Sequence, residues 1–221
     1  MRQIWFLLLV LPLMSCTQPL LELAERDLSP SSVWEERQKQ ILNFSDWSLS
    51  GRLVMKVASR TEHASFFWTG GPDKKEVRLL GPFGNGRLRL YEDSYGAMLQ
   101  DASGEQLVGS SVDELLTKVI NWPIPFVQMN YWVRGLPGPG EHMGIALDYA
   151  GRARSFVQDG WKVEYTDYGI FDGVYLPQRI NIGLLLDKAS VDQMNFSGDD
   201  AFGAVSVKLS IGSWSYSQGS E

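Results

Sequence analysis

From Trp47 the chain alternates. Leu49, Leu53, Met55 and Val57 are apolar, while Ser48, Ser50, Arg52 and Lys56 between them are polar. A period of two is the mark of a half-buried strand. The next run, Glu62 to Trp68, puts Ala64, Phe66 and Trp68 on one face, and Gly70-Gly71-Pro72-Asp73 turns the chain. Glu76 to Leu80, Gly86 to Tyr91, Tyr95 to Gln100 and Gln106 to Val108 continue the series. After a break it resumes with Ile145 to Tyr149, Arg154 to Gln158, Trp161 to Thr166, Val174 to Leu186 and Ala204 to Ile211. Short strands about ten residues apart, with turn residues between them, predict an antiparallel barrel or sandwich.

The period changes to that of a helix in three places. Ser32-Val33-Trp34-Glu35 opens a helix running to about Phe44, with Ser31 or Ser32 as its cap and Glu35 and Glu36 near its positive end. Ser111-Val112-Asp113-Glu114 opens a second, with Leu115, Leu116, Val119 and Ile120 as its apolar stripe. The third follows Trp122-Pro123-Ile124-Pro125, whose prolines force an extended approach. Phe126, Met129, Tyr131, Trp132 and Val133 recur at roughly helical spacing behind Pro125. Gly135 can end this helix in a left-handed conformation, and Pro137 and Pro139 prevent its resuming. Its face is unusually aromatic, which suits a lid over an apolar cavity or a helix plugging a sheet. No internal repeat or second domain is evident. The expected fold is one antiparallel sheet interrupted by helices, hence α+β, mainly β, or a small half-open barrel.

Composition sharpens this in one direction. The 22 glycines and 10 prolines suit a turn-rich β protein, and the net charge of -6 with a pI near 5.0 argues against a nucleic-acid binder. Residues 1–15 fall outside the fold. Arg2 precedes the apolar stretch Ile4 to Leu13, too short to span a bilayer and of the length of a signal peptide. It runs into Leu13-Met14-Ser15-Cys16, which resembles a lipobox, so Cys16 is expected to carry the lipid. Cys16 is the sole cysteine, so no internal disulfide can form. Thr17, rather than Asp, follows it, which points to the outer membrane. Residues 16–32 form the lipidated N-terminus and tether, and residues 33–221 a single domain.

The chemistry of catalysis is missing from the pattern. His63 and His142 lie far apart without metal-ligand spacing, no Gly-x-Ser-x-Gly elbow appears, and GPFGNG (Gly81 to Gly86) lacks the following helix of a phosphate loop. Neither an enzyme nor a cofactor or metal site is expected. That loop is informative otherwise. Phe83 sits at a hairpin tip, with Lys74, Lys75, Arg78, Arg87 and Arg89 around it against only Asp73 and Glu76. It is a candidate element for docking on a membrane or a partner. The alternative is that Phe83 folds back onto the sheet as packing.

These pieces together resemble the LolB family of outer-membrane lipoprotein receptors. The most specific are Pro123-Ile124-Pro125 followed by W-x-x-G-L-P-G (Trp132 to Gly138). Beside them stand Phe66-Phe67-Trp68, the hairpin from Leu79 to Gly84, Trp161-Lys162-Val163 with Tyr165, Pro177, and Ile211-Gly212-Ser213-Trp214. The resemblance implies an unclosed antiparallel β-barrel with helices covering a hydrophobic cavity that holds acyl chains. It implies a non-catalytic monomer that is lipid-anchored in the outer membrane and faces the periplasm. Such a protein accepts lipoproteins from the soluble periplasmic carrier LolA and places them among outer-membrane phospholipids. Phe83 occupies the position of the family's protruding apolar tip. Leu53, Met55, Phe66, Trp68, Val77, Leu79, Leu88 and Leu90 are then expected as one wall of the cavity. Trp122, Ile124, Phe126, Met129, Trp132 and Leu136 are expected as its lid. The alternatives are a generic lipid-binding lipoprotein, which needs no carrier, and a structural lipoprotein with a filled core.

Overall fold

A computed structural model describes residues 29–57, 60–82, 86–120, 125–185 and 202–218. Cys16, Phe83, Trp122 and Ile124 lie outside the described residues, as do the expected signal peptide and most of the tether.

The described strands form a single antiparallel sheet of eleven. In chain order they are β1 (Phe44–Val57), β2 (Arg60–Gly70), β3 (Lys74–Leu80), β4 (Arg87–Asp93), β5 (Gly96–Gln100), β6 (Gln106–Gly109), β7 (His142–Leu147), β8 (Ala153–Gln158), β9 (Trp161–Phe171), β10 (Val174–Leu185) and β11 (Phe202–Gln218). The spatial order is β6-β5-β4-β3-β2-β1-β11-β10-β9-β8-β7. Two meanders therefore meet where the first strand pairs with the last, and among the described residues β6 and β7 are left as free edges. The barrel is unclosed.

The strands are longer than the periodicity suggests, because β1 pairs with β11 along its whole length, from Phe44 opposite Gln218 to Val57 opposite Val205. Their pairing slips between Phe44 and Asp46 and again between Ser50 and Gly51. A Cβ at Gly51 would stand 2.1 Å from the Ser210 carbonyl oxygen, so only glycine lets the strands approach that closely. The inward parity is continuous across the sheet. Leu49 opposes Trp68, Trp68 opposes Val77, Val77 opposes Leu90, and Leu90 opposes Leu99. All five are buried.

Three described helices lie on the inner face: α1 (Pro30–Leu42), α2 (Val112–Ile120) and α3 (Phe126–Trp132). The start of α1 differs from expectation. Its cap is Ser29, whose hydroxyl accepts from the Ser32 amide, with Pro30 in the first turn and no acid there. Proline has φ preset for a helix and no amide to leave unpaired, so it moves the start two residues earlier. Arg37 fastens α1 to the second half of the sheet by donating to the Tyr175 carbonyl, with its guanidinium 5.5 Å from the Tyr168 ring centre. Ser111 caps α2, as expected, accepting from the Glu114 amide at 3.2 Å.

Candidate functional site

The inner face of β1 to β4 and β11 curves around a small cavity closed by α2 and α3. Its volume is about 90 Å³. Leu53 and Met55 come from β1, Phe66 and Trp68 from β2, Val77 and Leu79 from β3, Leu88 and Leu90 from β4, and Val207 and Leu209 from β11. The roof is Leu116 of α2 with Phe126 and Met129 of α3. Every described lining residue is apolar. The eight wall residues named from strand parity all face this space, together with the lid residues Phe126 and Met129. Leu116, Val207 and Leu209 join them from segments not assigned to the wall beforehand.

Two of the proposed lid residues are elsewhere. Trp132 is fully buried against the other half of the sheet, 6.5 Å from the ring of Phe156 and also 6.5 Å from that of Trp161. Leu136 is buried in the turn beyond it. The reason is angular. At about 100° per residue, Trp132 lies roughly 120° around α3 from Phe126. A helix wedged between two halves of a curved sheet uses both faces, one toward the cavity and one toward β8 and β9.

Hydrogen bonds hold α3 in this position. Trp132 Nε1 donates to Gln158 Oε1 at 2.9 Å, and Gln158 also accepts from the Gly138 amide at 2.8 Å and donates to the Gly138 carbonyl at 2.9 Å. One buried glutamine therefore fastens both the helix and its Gly-Pro exit. The Tyr165 hydroxyl donates to the Trp132 carbonyl at 2.8 Å. Gly135, with φ of 86°, closes the helix: its amide donates to the Trp132 carbonyl and the Leu136 amide to that of Tyr131. On the cavity side, Trp68 stacks on Phe126 with ring centres 5.6 Å apart and donates to Asn130 Oδ1 at 3.2 Å. Asn130 donates in turn to the Phe126 carbonyl at 2.7 Å.

The first turn of α3 has no cap of its own, since Pro125 precedes it. Asp113 of α2 supplies one by accepting from the Phe126 amide at 2.6 Å. Burial pushes the Asp113 pKa up, against the opposing pull of the Phe126 and Val127 amides. Its neighbour Glu114 behaves oppositely. Hydrogen bonds from Lys118 and Ser110 hold its pKa down to about 2. Glu92 of β4 accepts from the Val112 amide at 2.8 Å, which ties the start of α2 to the wall. Asp113, Asn130 and Gln158 were not singled out in the sequence, where isolated polar residues in apolar stretches show no period.

The basic hairpin is partly neutralised at its base. Glu76 lies 2.9 Å from Arg89 and 3.3 Å from Arg78, and Lys75 pairs with Glu92 at 3.4 Å. The Gly81 amide donates to the Gly86 carbonyl across the hairpin's neck.

The family profile described as outer membrane lipoprotein LolB matches residues 45–214. The chain belongs to the LolB family. It is 31% identical over 149 residues to the outer-membrane lipoprotein LolB of Pseudomonas syringae pv. syringae (strain B728a), covering 67% of this chain and 73% of that protein. To the LolB of Nitrosococcus oceani it is 32% identical over 152 residues, covering 68% and 76%. A solved structure of a DUF1329 family protein from Desulfovibrio piger shares the fold at a TM-score of 0.50 and 7% identity, over 87% of this chain and 93% of that one. The LolB match takes in every described residue that lines the cavity and both helices that roof it.

Proposed function

We propose that this LolB-family protein is an outer-membrane lipoprotein receptor that takes lipoproteins from a LolA-type periplasmic carrier and releases them into outer-membrane phospholipid. The family is one of non-catalytic outer-membrane lipoproteins that handle lipoprotein traffic. The observation that carries the finer reading is the wholly apolar cavity roofed by two short helices. Lipid chains need such a lining, because each methylene removed from water gains about 0.8 kcal/mol.

At about 90 Å³ the cavity is smaller than the ~150 Å³ apolar void that admits one benzene, so it has to widen to take an acyl chain. An acyl chain enters by lifting the roof. The C-terminal end of α3 is clamped through Trp132 and Gln158, whereas its N-terminal end is held by Asp113, by the Trp68–Asn130 hydrogen bond and by the stacking of Phe126 on Trp68. Displacement of α2 together with the start of α3 opens the space between Leu116, Phe126 and the wall.

Transfer uses no nucleotide, so it runs downhill: the cavity holds acyl chains more tightly than the carrier and less tightly than a bilayer. In this reading Cys16 carries the lipid that tethers the protein, and Phe83 enters the membrane at release. Burying one Phe side chain gains about 1.5 to 3 kcal/mol, enough for brief contact.

The test is a transfer assay in which carrier loaded with labelled lipoprotein meets the full-length receptor reconstituted in liposomes. Wild type is expected to empty the carrier and fill the bilayer. Phe83→Glu is expected to empty the carrier but retain the cargo. If wild type accepts nothing from the carrier yet still takes up free acyl probes, a generic lipid-binding role replaces the receptor role.

A further inference from the structure

A second pocket lies beside the apolar cavity, and its chemistry is different. Its volume is about 540 Å³, and it sits between the start of β1, the β2–β3 turn and the end of α3. The partition between the two spaces is the hydrogen-bonded pair Trp68 and Asn130. At the base of the pocket is Arg134, only 8% exposed.

Arg134 is held firmly. Its Nε donates to the Asn130 carbonyl at 3.0 Å and Nη1 reaches the Ile41 carbonyl at 3.5 Å. The guanidinium lies 5.6 Å from the ring centre of Trp47 and 5.0 Å from that of Tyr131. Held by two backbone carbonyls and two aromatic faces, its planar fork is pre-organised. Yet no carboxylate among the described residues pairs with it, and burial lowers its pKa with only the nearby Tyr131 opposing. A guanidinium has five N–H donors, and two are used among the described residues. A buried cation without a counter-charge is costly. The pocket's other charged lining residue is also a cation, Lys75, which reaches Glu92 at 3.4 Å, and no Asp or Glu is among the described residues that line the pocket. Asp46 lines the neighbouring groove instead.

We propose that this pocket binds an oxyanion, a phosphate ester being the chemistry that best fits a planar fork with free parallel donors. The ligand is distinct from the acyl chains of the main cavity. The anion approaches past Lys75, sits against the free edge of Arg134 and supplies the missing counter-charge. Its source is either the headgroup of an anionic lipid or a soluble phosphate, and the two are separable by measurement.

The full-length protein, held in nanodiscs of neutral phosphatidylcholine and labelled with ¹⁵N, is titrated with inorganic phosphate, glycerol phosphate and hexyl phosphate. Hexyltrimethylammonium serves as the cationic control. The Arg134 Nε–H resonance is expected to shift saturably with the phosphates and not with the cation. Arg134→Gln is expected to weaken binding at least tenfold, and Lys75→Gln about threefold. Hexyl phosphate binding ten times tighter than inorganic phosphate identifies a lipid headgroup as the source; equal affinities identify a free oxyanion. Absence of a saturable shift in the wild-type resonance overturns the proposal whatever the variants do. So does unchanged affinity in a folded Arg134→Gln, which leaves Arg134 as a strut between α3 and α1. Transfer from the carrier is read in a separate assay, so either proposal can fail with the other intact.

Discussion

Gly135 is where the backbone allows one residue type only. Its φ of 86° is left-handed, and an added Cβ would meet Pro177 Cγ at 3.2 Å and the Tyr168 hydroxyl at 3.3 Å. Gly135→Ala is therefore expected to cost at least about 1 kcal/mol, from backbone strain before any contact is counted. Urea unfolding checks this; an unchanged midpoint would mean that the turn after α3 relaxes freely. Asp113 makes a different point about buried charge. Its folded pKa is raised by burial, so the folded state prefers the protonated acid, and its contribution to stability falls as pH rises from the ordinary aspartate range through the raised value. Asp113→Asn keeps an acceptor for the Phe126 amide without the charge. It should be more stable than wild type at neutral pH, with the difference closing as pH falls below about 4. Asp113→Ala loses the acceptor, so it should be destabilised by about 1 kcal/mol, as for other lost caps, and should admit a fluorescent acyl probe faster. Thermal melts across pH and stopped-flow uptake separate the two variants.

At the scale of elements the question is what the two-helix roof does. If it opens to admit a chain, the limiting resource is space between the roof and β3. An indole at Leu79 intrudes on that space from the wall, while the half-buried position lets it relax outward at a cost within about 1 to 3 kcal/mol. Leu79→Trp is expected to reduce acyl-probe uptake at least tenfold while the protein still folds. Uptake at the wild-type level would place the acyl site outside this cavity. The elements also show what could be read in advance. Alternation in β1 to β4 carries the inward face directly, because a strand has two sides and one of them meets water. A seven-residue helix has no such binary choice. The aromatic stripe of α3 was legible as buried surface, but its division between Phe126 and Met129 on one side and Trp132 on the other depends on two neighbours far away in the chain. Gln158 illustrates the same limit. On β8 it occupies an inward position that periodicity assigns to an apolar side chain, and only the arrival of Trp132 and the Gly138 backbone makes a glutamine fit there.

For the whole molecule, the decisive contact joins the ends of the domain. β1 has β2 on one side and β11 on the other, so residues 44–57 complete their pairing only with residues 205–218. The local meanders were visible in the sequence from spacing and turns, but this closure was not, since pairing between distant strands leaves no local period. Its consequence is cooperative. The first meander alone would leave the inner face of β1 without Val207 and Leu209, and the second would leave β11 without its central neighbour β1. Neither half has a complete apolar layer. The described domain should therefore unfold in one transition, with tryptophan fluorescence and far-UV circular dichroism giving the same urea midpoint. Refolding should be slow, in the range of milliseconds to seconds, because the costly long loop closes before the central pairing stabilises it. Two separated midpoints would instead mean that the halves are stable units and that the β1–β11 pairing is not needed to hold either of them.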